Sequence, residues 1–145
     1  MADSMIQGVV DWVKTCPLMK GGAYRVDILG PKPVEYSIEP LSADRIVQEY
    51  IDGSSIRQYV FAINSREFFS VDLLQNVRNS AFYEALADWF EEQNHKENFP
   101  KIGENKSVET VELTTPGYLF AADSKTARYQ MVVRVEYFQE AKRHG

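Results

Sequence analysis

The sequence predicts an α+β fold: one domain in which a mainly antiparallel, twisted β-sheet carries α-helices packed on one face. Three observations lead there. Residues 128–138 alternate strictly, with Tyr129, Met131, Val133, Val135 and Tyr137 on one side and Arg128, Gln130, Arg134 and Glu136 on the other. Two apolar, aromatic-rich runs within 46–69 flank Asp52-Gly53, a dipeptide suited to the positive φ of a tight hairpin. Between these regions Phe82, Leu86, Trp89 and Phe90 recur at helical spacing, with Glu84, Asp88, Glu91 and Glu92 outside the stripe.

Taken in order, Ile6, Val9, Val10 and Val13 give a short amphipathic helix over Met5–Thr15, ended by Pro17 and Gly21-Gly22. Ala23–Leu29 reads as a strand with Tyr24, Val26 and Ile28 on one side, until Gly30-Pro31-Lys32-Pro33 breaks the ladder. Val34–Ile38 reads as a second short strand, closed by Pro40. The Asp52-Gly53 hairpin then sets the centre of the sheet. Its second arm places Tyr59, Phe61 and Ile63 on one face and Gln58, Val60 and Ala62 on the other, both apolar enough for a strand covered on both sides. From Asn64 to Ser70 the pattern dissolves and reads as a connection. Helical spacing resumes at Val71 and reaches Arg78, and Asn79-Ser80 caps a second, stronger helix whose end carries His95 and Lys96. After the polar loop 98–105, Val108–Leu113, Tyr118–Ala121 and Arg128–Phe138 read as three strands, joined by turns at Pro116-Gly117 and Asp123-Ser124-Lys125.

The chain of 145 residues, with a hydrophobic fraction of 44% and no interdomain linker, is one domain spanning 1–145, with 140–145 as a flexible tail. A formal net charge of −5 argues against a sequence-specific nucleic-acid binder and against a polybasic membrane-surface protein. The apolar stretch near the N-terminus is interrupted by Gln7 and Asp11 and is too short for a membrane span or a signal-peptide core. Cys16 is the single cysteine, which rules out an intrachain disulfide and a cysteine-based zinc site.

Catalytic and metal-binding patterns fail on their spacing. His95 and His144 are far apart, and the acidic residues form no calcium loop. Cys16 has no neighbouring histidine and reads as a packed apolar residue. The His-x-x-x-Asp-Gly pattern of acyltransferases has Gln48 where its general base would stand, and an amide does not accept a proton near neutral pH. The expectation is a non-enzymatic protein with no catalytic residues, no metal and no cofactor. Arg57, Arg66, Arg128 and Arg134 read either as a solvated face with surface ion pairs or as an anion or partner site. Phe68 and Phe69 are adjacent and cannot share one burial direction: either they plug the sheet edge or one of them meets a neighbouring subunit.

Several segments run in order through most of the chain: Leu29-Gly30-Pro31, Tyr36-Ser37-Ile38, Tyr50-Ile51-Asp52-Gly53-Ser54, Arg57-Gln58-Tyr59, Ser65-Arg66-Glu67-Phe68, Leu74-Gln75-Asn76 and Thr126-Ala127-Arg128-Tyr129-Gln130. In these the chain resembles the minor structural proteins of tailed bacteriophages and prophages, the minor capsid or tail terminator family. Such proteins are compact α+β subunits that assemble as a ring, usually of six, on the end of a finished tail tube. The resemblance implies a virion protein that stops tube growth and joins tail to head, located in the tail or neck and, during assembly, in the bacterial cytoplasm. Its implied partners are further copies of itself, the tail tube protein, the end of the tape-measure protein and a head-side connector. Arg57, Arg66, Glu67, Phe68 and Phe69 are the expected interface residues. A head-closure or neck adaptor of the same virion, and a non-catalytic ligand-binding α+β domain, are the alternatives.

Overall fold

The computed structural model describes residues 5–19, 23–26, 35–68, 73–122 and 126–141. Helix α1 (Met5–Val13) is followed by a 3-10 turn at Pro17–Met19. Strands β1 (Ala23–Val26), β2 (Glu35–Leu41), β3 (Ile46–Glu49) and β4 (Ser55–Phe68) precede helix α2 (Leu73–Lys96). The chain closes with β5 (Lys106–Ala122) and β6 (Thr126–Gln139). All six strands form one sheet of order β1-β2-β4-β6-β5, in which β3 also pairs with β4. The β1–β2 pair is parallel and every other pair is antiparallel. This is the predicted α+β class.

The backbone of the sheet is the β4–β6 ladder, which runs without a register shift from Ser55 opposite Gln139 to Phe68 opposite Thr126. Strict alternation over this length puts Phe61 and Ile63 of β4 and Met131, Val133, Val135 and Tyr137 of β6 on one face, all at most 1% exposed. Both helices pack on that face. The Tyr83 ring stacks on Tyr129 and its hydroxyl hydrogen-bonds Ser65, while Phe82 stacks on Tyr36. On α1, Trp12 lies 5.1 Å from Trp89 and 5.4 Å from Phe90 between ring centroids.

The end of α2 fixes the loop that follows. Glu97 adopts φ 56°, and the amides of Glu97 and Asn98 donate to the carbonyls of Asn94 and Gln93, closing a Schellman motif without glycine. The Asn98 carbonyl accepts the Trp12 indole N–H at 2.9 Å, tying α1 to this corner.

Several boundaries differ from expectation, each for a physical reason. The helix runs through Asn79-Ser80 without a break, because neither residue costs more than a few tenths of a kcal/mol in a helix interior and no proline or glycine intervenes. Strand β2 passes through Pro40, beyond the last β1–β2 pair at Val26 and Ile38, where β2 pairs only with β4 among the described residues and a missing N–H is tolerated. Asn64–Phe68 is not a connection but the end of β4, paired with residues 126–130. Its alternation is hidden because Ser65, on the helix face, is polar and bonded to Tyr83.

Pro116-Gly117 does not reverse the chain either. It lies inside β5, which runs along β6 with one extra residue at each of four register shifts. An edge strand accommodates both the proline and the bulges. Ile28, the Gly30-Pro31-Lys32-Pro33 break, Phe69, the Asp123-Ser124-Lys125 turn and residues 142–145 lie outside the described residues.

Candidate functional site

The Asp52-Gly53 hairpin forms as the dipeptide predicts. Gly53 takes φ 92°, its amide donates to the Tyr50 carbonyl, and the Tyr50 amide donates to Ser54 at 2.9 Å. Only the second arm of the hairpin is central, however. The first arm, β3, is exposed at every residue and pairs, among the described residues, with β4 alone. Ile46 is 38% exposed, Val47 50% and Tyr50 43%, and Ile51 at the tip is fully exposed. Single exposed apolar residues are ordinary; four within six consecutive positions are not.

The tip is held by its own carboxylate. Asp52 accepts the Ser54 hydroxyl at 2.5 Å and the Ser54 amide at 2.9 Å. These bonds, the hydroxyl's first, hold the Asp52 carboxyl below the ordinary aspartate range. A lowered folded-state pKa means that this contribution to the turn is present above the ordinary aspartate value and disappears as pH falls through the lowered one. An NMR titration of the Ser54 amide is expected to show a midpoint below that of an unstructured aspartate. A midpoint at or above it would mean the carboxylate does not hold the turn.

The structure does not gather Arg57, Arg66, Glu67 and Phe68 into one patch. Arg57 and Arg66 stand nine positions apart on one continuous strand, about 30 Å at 3.3 Å per residue, and on opposite faces. The half-buried Arg57 guanidinium donates from Nε to the Ser55 hydroxyl at 2.9 Å, next to Tyr137. Burial raises the Tyr137 hydroxyl pKa, and Arg57 and Arg45 pull it back down. Arg66 sits opposite Arg128 on the face away from the helices. Glu67 and Phe68 pair through their backbone with Ala127 and Thr126; their side chains, like all of Phe69, lie outside the described residues.

That second face carries balanced charges among apolar side chains, Ile56, Val60, Ala62 and Val132. Arg134 bonds Glu112 at 2.6 Å and lies 3.8 Å from Glu136. The Ser37 hydroxyl donates to Glu39 at 3.3 Å, and Asn64, 3% exposed, has a buried amide nitrogen with no hydrogen-bond partner among the described residues. Acidic surface concentrates instead on the outer face of α2, at Glu84, Asp88, Glu91 and Glu92.

A second surface lies at the opposite edge. Between the α2–β5 loop and the first residues of β5, an open cleft of about 450 Å³ is lined by Phe99, Pro100, Val108, Lys101, Lys106 and Glu104. Among the described residues no three of His, Cys, Asp and Glu cluster closely enough to hold a metal ion. No helix among them is long and apolar enough to cross a membrane.

The apolar hairpin arm is the feature that sequence reasoning assigned to the wrong place. The hairpin that carries Ile46, Val47, Tyr50 and Ile51 reads as the centre of the sheet because the pattern does not say which arm of a hairpin receives a further strand or a covering helix. Asp44, Arg45, Glu49 and Asp52, interleaved with them, are the signal of solvent exposure. A comparison with protein-family models finds no match for this chain, and a comparison with curated proteins finds no relative.

Proposed function

We propose that the chain is a tail terminator of a tailed bacteriophage or prophage: a virion protein that forms a ring on the end of the tail tube, stops its polymerisation and provides the surface for joining the head. The observation that carries this reading is the apolar hairpin arm Ile46, Val47, Tyr50 and Ile51, left exposed on a chain that otherwise builds one well-packed core. A patch of that kind on a small acidic domain calls for a protein partner. The ordered sequence resemblance to tail terminators supplies the identity of the assembly. A ring subunit needs two different lateral contact surfaces, and the sheet is bounded by β1 and β3 on one side and by β5 on the other.

In such a ring the sheet face away from the helices would not repel DNA, since Arg66, Arg128 and Arg134 share it with Glu39, Glu112 and Glu136. The repelling charge of an acidic lumen would come from the outer face of α2. The partners are further copies of the chain, the tail tube protein, the end of the tape-measure protein and the head-side connector, with no cofactor and no catalysis.

Electron microscopy of purified tail tubes, with and without the added protein, tests this. The expected result is a ring or blunt cap at one tube end and arrested elongation. Tubes that lengthen unchanged and carry no added density remove the reading; binding to DNA-filled heads instead would identify a neck adaptor.

A further inference from the structure

We propose that the tip of the β3–β4 hairpin of one copy docks into the Phe99–Pro100–Val108 cleft of the next, giving a head-to-tail contact that repeats around a closed ring. The inference rests on the ring reading for the identity of the partner, a second copy of this chain, and adds the two surfaces that meet.

Register places them. Ser55, the first residue of β4, and Lys106, the first of β5, both pair with Gln139 of β6. The hairpin tip and the cleft therefore stand at the same level of the sheet. They flank it on opposite sides, because β3 bounds this end at one edge and β5 at the other. Three strand spacings, about 14 Å, separate the β3 and β5 edges within one chain, and Ile51 is fully exposed rather than folded back. A lateral step from one subunit to the next thus brings a tip to a cleft at equal height. Because the two surfaces differ, the contact is heterologous and closes only as a ring.

The chemistry of the two sides matches. Tyr50 and Ile51 offer an aromatic ring and a branched aliphatic chain to a cleft whose apolar wall is Phe99, Pro100 and Val108. Glu49 and Asp52 at the tip meet Lys101 and Lys106, which outnumber Glu104, the one carboxylate lining the cleft. A tip this small makes a weak single contact. A closed ring makes each contact cooperative with the others, as linked binding sites do.

Crosslinking tests the pairing. Cys16 is fully buried and its thiol pKa is raised by burial, so the native chain presents no reactive thiol and Ile51→Cys and Lys101→Cys can be read singly. With a short bismaleimide, neither variant alone is expected to crosslink, whereas an equimolar mixture gives a covalent dimer and a chain carrying both substitutions gives a ladder. Ile51→Glu should weaken self-association by at least about 30-fold in sedimentation, as loss of a central anchor does. Three results overturn the proposal: Ile51→Cys linking to itself, no linked dimer in the mixture while the wild type sediments as an oligomer, or a wild type that stays monomeric at its solubility limit. Ile51→Glu chains that still cap tail tubes would refute the docking surface and leave the terminator reading standing. Wild-type chains that fail to cap tubes would remove the terminator reading whatever the crosslinks show.

Discussion

Replacing Phe61 with alanine is expected to cost about 3–5 kcal/mol of unfolding free energy, the range for removing a fully buried aromatic side chain. Phe61 is 0% exposed and stands near the middle of the longest ladder in the sheet, opposite Val133 of β6 and Pro40 of β2. Its ring lies 6.3 Å from that of Tyr59, and the helices cover the same face. Nothing nearby can collapse into the space: Val133, Ile63 and Met131 are themselves fully buried and held in a continuous ladder. A domain of this size has about 5–15 kcal/mol in total, so the variant should lose a large fraction of it. Urea denaturation measures the shift in midpoint. The adjacent Val60, half-buried on the face away from the helices, serves as the internal comparison. Val60→Ala should cost much less, and equal losses at the two positions would mean that the helices do not cover one face alone.

On β6 that asymmetry is legible in the sequence, whereas on β4 both faces read as apolar enough to be covered. The strict alternation of Tyr129 through Tyr137 identifies the buried face of β6, and Asp52-Gly53 locates a turn that only a few conformations satisfy. Local signals of this kind are decided within a few residues of chain. What escaped the sequence depends on neighbours far away in it. Pro116-Gly117 carries the chemistry of a turn, yet β6 continues alongside it, and an edge strand absorbs it as a bulge. Asn79-Ser80 carries the chemistry of a cap, yet the helix continues through it. Pro40 looks like a strand end and is one only on the side where β1 has already stopped. The parallel pairing of β1 with β2 has no local signature at all.

The candidate site follows the same division. Arg66, Glu67 and Phe68 read as part of a connection because alternation fails after Asn64, whereas the failure reflects one polar residue, Ser65, satisfied by Tyr83. The hairpin is located by its turn dipeptide, and only the charges interleaved along its first arm signal its exposure. Whether Ile46 or Tyr50 meets a helix or water depends on α1 and α2 both packing at residues 59–63 and beyond, away from β3.

Gly8→Ala is expected to destabilise the protein by about 2–3 kcal/mol, reversing the sign that helix propensity alone would give. Glycine inside a helix ordinarily costs about 1 kcal/mol relative to alanine, so at an open position the substitution would stabilise. Gly8 is buried in α1, and a Cβ built on it would lie 1.9 Å from the Lys101 carbonyl oxygen, 2.9 Å from the Lys101 carbonyl carbon and 3.3 Å from the Ile102 Cα. All three are backbone atoms, which no rotamer change can withdraw. Either α1 lifts or the 98–105 loop moves outward. Lifting α1 would pull Trp12 from Trp89, Phe90 and the Asn98 carbonyl; moving the loop would expose Ile102, which is 3% exposed. Both responses reach the cleft, because Phe99, Pro100 and Lys101 form its wall. Gly8→Ala should therefore lower the denaturation midpoint and also weaken self-association, while Gln7→Ala, one residue away on the exposed side of the same helix, changes neither appreciably. A Gly8→Ala chain that melts higher than the wild type would show that α1 does not rest on this loop. One that melts lower yet associates normally would separate the packing of the corner from the docking of the hairpin.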